Sequence, residues 1–292
     1  MLGGVNGRNV HYLTRARPLW LSVCALLLVG CGTQFLYNRL PTLLYLYATT
    51  QLSMDGAQRQ TLKAGLQGFF DWHRRSELPR YAEFVEQLVG AVQQPIGVAQ
   101  IDAARLRVEA YWRASVLQGA PSAALWLATL RVAQRDELFK RLNKEDRKLR
   151  EDYCIPSEAE RRKSRDKLFV DAVEDWTGDL SPAQLDLIRA HLAVTRGTGC
   201  GYVDTRAALR RDLRALVEQQ PRDPGYAGQV AHLLAYPEER WPPRYREEFN
   251  ADRDAIVALL GSLDATLTRA QRERMIERLQ DFAKDFRELA AR

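Results

Sequence analysis

The sequence has no hydrophobic run long enough to cross a membrane. Its longest apolar run near the N-terminus, residues 19–29, holds 11 residues, whereas about 20 are needed to span roughly 30 Å of hydrocarbon. Extending this run to Tyr47 would include four polar or helix-breaking residues, Gln34, Asn38, Arg39 and Pro41. We therefore favour a short, removable apolar segment over an uncleaved transmembrane helix.

The sequence also lacks the motifs of common catalytic and cofactor sites. It contains no P-loop, no dinucleotide-binding glycine motif and no nucleophile elbow. His73, His191 and His232 lie on separate predicted helices, so we predict no metal site and no cofactor. Acidic residues are abundant but form no motif. We predict that the protein is not an enzyme; the enzymatic alternative is a hydrolase acting on cell wall or lipid.

Acidic residues are absent from residues 1–30, which contain three arginines, Arg8, Arg15 and Arg17. Basic residues, a short apolar run and small residues in succession are the layout of a secretory signal. Without this segment the formal net charge falls from +6 to +3. A nearly balanced charge indicates a mixed, solvated surface rather than a nucleic-acid footprint, so no nucleic-acid partner is predicted.

The apolar run ends in Leu28-Val29-Gly30-Cys31. This segment resembles the lipobox of bacterial lipoproteins. The resemblance implies cleavage between Gly30 and Cys31 and lipidation of the Cys31 thiol by several acyl chains, palmitate among them, which hold a protein far better than one chain. Gly32, rather than an Asp that would resemble an inner-membrane retention signal, follows Cys31. We therefore predict an outer-membrane lipoprotein that faces the periplasm.

After residue 54, apolar residues recur almost everywhere with the 3.6-residue period of an amphipathic helix. Period-2 runs rich in β-branched residues are absent, and Pro79 and the Gly119–Pro121 segment are among the predicted breaks. This pattern predicts an all-α fold of about eight to ten amphipathic helices, in an antiparallel bundle or an array of helical hairpins. The predicted domains are a signal peptide (1–30), a lipidated juxtamembrane segment (31–50) and a helical domain (51–292) that could divide near 151–157.

Several predicted helix starts share a capping motif of the form Leu-[Ser/Thr]-x-x-Gln. The hydroxyl accepts a hydrogen bond from a backbone N–H of the first turn, and the Gln side chain returns to the N–H of the cap residue. Leu130 to Gln134 keeps only the Leu and the Gln. The recurrence fits either a duplicated helical hairpin or simply the general usefulness of good caps. The predicted cap pairs are Asp55 with Gln58, Ser181 with Gln184, and Thr268 with Gln271.

The four cysteines divide by predicted role. Cys24 lies in the signal and Cys31 is the lipid site, which leaves Cys154 and Cys200. Disulfides persist in an oxidising compartment such as the periplasm. A bridge across these 46 positions would stabilise the fold by about 4 kcal/mol in the chain-entropy model. We favour this disulfide over two buried thiols.

Two segments are candidates for contact with a ligand or a membrane. Arginines beside aromatic residues can hold anionic headgroups, phosphate or carboxylates. We favour the alternative, in which the aromatic residues pack in the core and the arginines pair with Glu77 or Glu83. The nine apolar or aromatic residues between Phe35 and Tyr47 either lie at a membrane interface or form a first helix packed on the body, which we favour. The predicted binding patch is Trp72, His73, Arg74 and Arg75.

The segment from Trp72 to Tyr81, Trp-His-Arg-Arg-Ser-Glu-Leu-Pro-Arg-Tyr, resembles a bacterial lipoprotein family of unknown function. The Leu-Thr-x-x-Gln-like caps are similar, more distantly, to those of the Spy-like periplasmic chaperones. The first resemblance implies an all-helical outer-membrane lipoprotein without an assigned activity, and the second implies a surface that holds protein or peptide clients. We therefore expect a binding or chaperone-like envelope lipoprotein; the alternative is a structural subunit of an envelope complex.

Overall fold

The computed structural model describes residues 30–219, 223 and 225–292, and nearly all of them are helical. The predicted signal peptide, apart from Gly30, lies outside these residues. The described α-helices are α1 (Gly30–Gln51), α2 (Gly56–Trp72), α3 (Leu78–Ala91), α4 (Val98–Thr129), α5 (Val132–Tyr153), α6 (Glu158–Thr177), α7 (Pro182–Ala193), α8 (Gly199–Gln219), α9 (Tyr226–Ala235), α10 (Pro243–Asp264) and α11 (Arg269–Ala290).

The prediction of an all-α array is confirmed, since no strand occurs in the described residues. A π-helical turn, His73–Glu77, joins α2 to α3 without a break, and a 3₁₀ turn, Pro237–Arg240, precedes α10. The predicted break at Pro79 was therefore wrong. The π-turn ends at Glu77, two residues before Pro79. The ring and missing N–H of Pro79 would disturb a regular helix, and the extra residue of the π-turn accommodates them.

The predicted break at Gly119–Pro121 was also wrong, because α4 continues through Pro121. A Cβ on Gly119 would lie only 3.2 Å from the Phe69 ring, so α2 and α4 approach closely here. Ala120 and Ala124 of the same stretch are buried. A proline inside a helix destabilises it by about 3 kcal/mol. This tertiary packing stabilises the helix enough to keep it continuous.

Three clusters of buried side chains form the core. The first lies where the end of α1 meets α4, α5, α8 and α9; the second lies between α3 and α11; the third lies among α6, α7 and α10. The first two clusters contain residues from both sides of the 151–157 connection. Helices from early and late in the chain therefore share their hydrophobic cores.

The first described helix, α1, packs on α2 and α11. Its C-terminal end reaches the first cluster, where Ala48 and Leu52 pack. Among the helices of the described ranges, none is both long and apolar enough to cross a bilayer.

Candidate functional site

The capping motifs meet in two pairs. In the first pair, Gln58 Nε2 donates to Gln134 Oε1 at 2.9 Å, and Gln134 Nε2 donates to Gln58 Oε1 at 2.8 Å. In the second pair, Gln184 and Gln271 exchange the same two bonds, each at 3.0 Å. All four side chains are buried. The N-terminus of α2 is thereby joined to that of α5, and the N-terminus of α7 to that of α11.

Each glutamine of the two pairs uses its remaining hydrogen-bonding capacity in the same way. Its Oε1 also accepts from the backbone N–H of its own cap residue, at 2.8–3.1 Å. Its Nε2 also donates to the backbone carbonyl two residues before the partner's cap. These four carbonyls belong to Thr129, Ser53, Thr266 and Asp179. With both donors and the acceptor engaged, each pair is a satisfied structural joint between two helices.

The fourth member of this set was only a doubtful motif in the sequence. Arg131 occupies the cap position of α5, with its backbone N–H bonded to Gln134, and its guanidinium pairs with Asp55 at 2.8 Å. The signal that could have found it is the separation of the two glutamines, 76 residues in one pair and 87 in the other. The two joints thus share one hydrogen-bond pattern.

His73 lies in the π-turn and connects three helices. Its Nδ1 is 3.0 Å from Tyr37 Oη on α1, and its Nε2 is 3.4 Å from Tyr81 Oη on α3. Tyr81 Oη is in turn 3.2 Å from Ser115 Oγ on α4. Burial lowers the pKa of His73 to about 4 and raises the pKa of both tyrosines to about 12. The imidazole is therefore neutral at pH 7 and acts as an uncharged link.

Arg74 also ties α1 to the body. One guanidinium nitrogen donates to the Leu289 carbonyl at the end of α11, at 2.9 Å, and the other donates to Asn38 Oδ1, also at 2.9 Å. The guanidinium lies over the Tyr37 ring, 5.3 Å from its centroid. A cation at a helix C-terminus is favourable because it faces unpaired carbonyls and the negative end of the helix dipole.

The four residues of the predicted binding patch are exposed to different extents. Arg75 is exposed, whereas Trp72 is half-buried against Phe69. Arg74 does not pair with Glu77, one of the two acidic partners considered for the arginines, because Arg74 is bonded to α11 and Glu77 accepts from Arg80 at 2.7 Å.

Glu77 is a residue that sequence reasoning did not single out as a site. It ends the π-turn and is only 1% exposed. Its Oε1 is paired with Arg80, but its Oε2 has no hydrogen-bond partner among the described residues. Asp285 on α11 is similar, with Oδ1 accepting from Gln34 at 2.7 Å and Oδ2 unpartnered. Both carboxylates lie beside the elements that hold α1.

Helix α1 has two different faces. The inward face is polar at its N-terminal end, where Gln34 donates to Asp285 and Glu288 at 2.7 and 2.8 Å. The outward face is apolar, with exposed fractions of 66% for Phe35, 48% for Leu43 and 50% for Leu46. Tyr47 is also exposed, but its hydroxyl donates to Glu145 Oε1 on α5 at 3.2 Å. The packed-helix interpretation of this segment therefore applies to its inward face, and the exposed apolar residues lie on the outward face.

The three cysteines within the described residues lie near helix ends. Cys31 falls in the first turn of α1. Cys154 and Cys200 have Cα atoms 5.2 Å apart, and their sulfurs are 2.07 Å apart, joined as a disulfide. This disulfide joins the end of α5 to the start of α8. The backbone packs closely there, because a Cβ on the adjacent Gly201 would overlap the Tyr245 ring.

An open groove of about 630 Å³ lies between α8, α9 and the 3₁₀ turn. The polar side chains of this region pair with each other: Arg240 with Asp212 at 3.1 Å, and His232 with Glu239 at 2.8 Å. In the described part of the chain, no group of three or more His, Cys, Asp or Glu residues is arranged to hold a metal ion.

No curated protein and no solved structure matches the chain. A family model, DUF6279, described as a family of unknown function, matches residues 50–246, which is more than half of the chain. The matched range contains the first glutamine pair, the π-turn and the cysteines at 154 and 200. The chain therefore belongs to this family of unknown function, DUF6279.

Proposed function

We propose that this protein is an envelope lipoprotein, anchored through Cys31 in the outer membrane and facing the periplasm, whose helical body binds protein or peptide partners. The observation that carries the anchor is the Leu28-Val29-Gly30-Cys31 segment, placed after a basic and then apolar stretch. Because Cys31 lies in the first turn of α1, an acyl anchor there would hold a helix that is itself bonded to the body.

A binding role is favoured over a catalytic one because the polar side chains discussed above hold the helices together. The buried glutamines, His73 and Arg74 are engaged in joints between helices. The likeness of the capping motifs to those of Spy-like periplasmic chaperones favours protein clients. In this proposal the protein has no catalytic activity and needs no cofactor, and nucleic acid is not a partner.

The anchor is tested by replacing its cysteine. Cys31→Ser should block acylation, leave a precursor of higher apparent mass and remove the acyl groups from the mass spectrum. Cys24→Ser is the matched control, because Cys24 lies in the same apolar run but not at the predicted cleavage site. Normal processing and membrane retention of Cys31→Ser would contradict the anchor.

The binding role is tested separately with lipidated protein in detergent. At several-fold molar excess it should suppress aggregation of a model protein diluted from denaturant. This assay uses no reducing agent, so the Cys154–Cys200 pair stays intact. Absence of any effect would count against the chaperone-like role. A stoichiometric partner, recovered by cross-linking in intact cells, would instead favour a structural subunit of an envelope complex.

A further inference from the structure

We propose that the outward face of α1 lies in the headgroup region of the bilayer and sets the orientation of the body against the membrane. This inference rests on the proposed lipid anchor at Cys31, and it adds a second, non-covalent membrane contact. The face is formed by Phe35, Arg39, Leu43 and Leu46.

The spacing of these residues places them together on the helix. Positions 35, 39, 43 and 46 are three or four residues apart, which puts them along one side of an α-helix. Each of the apolar members is between 48% and 66% exposed. Isolated exposed apolar residues are ordinary, but several on one face of one helix mark a contact surface.

The charge of this region suits a lipid surface. From Gly30 to Met54 the sequence contains no acidic residue, and its single basic residue is Arg39. The Arg39 guanidinium lies over the Phe35 ring, 5.5 Å from the centroid. An arginine beside apolar side chains can extend to a lipid phosphate while those side chains enter the acyl boundary.

The other face of α1 is held to the body along its whole length, so the helix cannot roll to bury its apolar side. Gln34 is bonded to α11 at one end, Tyr37 to His73 in the middle, and Gln51 to Arg141 at the other end, at 2.6 Å. Contact of the outward face with lipid would therefore fix the whole body.

The anchor makes this contact intramolecular. Acyl chains on Cys31 would hold the first turn of α1 at the membrane, which raises the effective concentration of the following turns at the headgroups. A face too small to bind vesicles strongly on its own would then remain in contact. This proximity favours lipid over a second protein on the outward face of α1.

The test measures membrane depth in the lipidated full-length protein, reconstituted in vesicles of phosphatidylethanolamine and phosphatidylglycerol. A spin label is placed at Leu46→Cys and, as the matched control, at Leu125→Cys, since Leu125 is a 61% exposed leucine on α4. The parent protein, labelled in the same way without an added cysteine, measures the background from any label attached to Cys154 or Cys200. We expect collision with oxygen to rise, and collision with a water-soluble nickel chelate to fall several-fold, at position 46 relative to position 125.

The possible outcomes separate the two proposals. Aqueous accessibility at both positions, with Cys31 acylated by mass spectrometry, would overturn the membrane-contact face and leave the anchor standing. Dipolar broadening between labels at position 46 would show a second copy on this face and would also overturn it. If Cys31 carried no acyl group, the anchor would fail, and the depth at position 46 in vesicle-bound protein would still decide for or against the face.

Discussion

The glutamine pairs and the π-turn both join distant helices, but they do so with different chemistry. In each pair two uncharged amides satisfy each other and the adjacent backbone. At the π-turn, a half-buried imidazole links two tyrosines. A buried carboxylate, Glu77, leaves one oxygen without a partner among the described residues. The comparison teaches that the amide bonds of the glutamine pairs do not depend on protonation, whereas the imidazole link between α1 and α3 does.

Acidification should have the largest effect, and this effect should arise at the π-turn. The pKa of His73 is about 4 when folded and about 6.5 when unfolded, so its contribution is fully present above pH 6.5 and is lost as pH falls toward 4. The shift corresponds to about 3 kcal/mol. Urea unfolding between pH 7 and pH 4 should show this loss in the parent and a smaller loss in His73→Phe. His232→Phe, at a solvent-exposed histidine, is the control; equal pH dependence in all three proteins would contradict the role of His73.

Breaking a glutamine pair should cost about 2 kcal/mol, because Gln58→Leu leaves the cap N–H and the groups of Gln134 buried without partners. Gln184→Leu should cost a similar amount, since the second pair has the same bonds. Adding Gln134→Leu to Gln58→Leu should cost less than the sum of the single changes, as expected for directly coupled residues. Gln67→Leu, at an exposed position of α2, is the control. Strict additivity of the two changes would show that the pair is not a coupled joint.

The two glutamine pairs also differ in their cap residues. Replacing a cap residue should give the smallest of these three changes in stability. Thr268→Ala should destabilise the protein by about 1 kcal/mol, with little dependence on salt, because it removes a neutral cap. Asp55→Ala removes both a cap and an ion pair with Arg131. Its destabilisation, measured by urea unfolding, should therefore shrink as the salt concentration rises. The same salt dependence for both variants would show that the ion pair does not distinguish the two joints.

Local features of the site were predictable from the sequence, and long-range ones were not. The caps at Asp55, Ser181 and Thr268 depend on contacts within three residues, so their motifs are visible in the sequence, and each forms its reciprocal bonds in the structure. The cap position at Arg131 has no side-chain acceptor of its own, so only the partner glutamine 76 residues away reveals it. Likewise, no local signal shows that Arg74 reaches Leu289, 215 residues along the chain.

The sequence by itself determined the helical class of this protein, because apolar periodicity and helix caps act over a few residues. Only the tertiary structure decided the rest. It carried helices through Pro79 and Pro121, where packing outweighs local propensity. It also joined the capped ends in pairs and gave α1 one bonded and one apolar exposed face, because these outcomes depend on which distant side chains share a buried space.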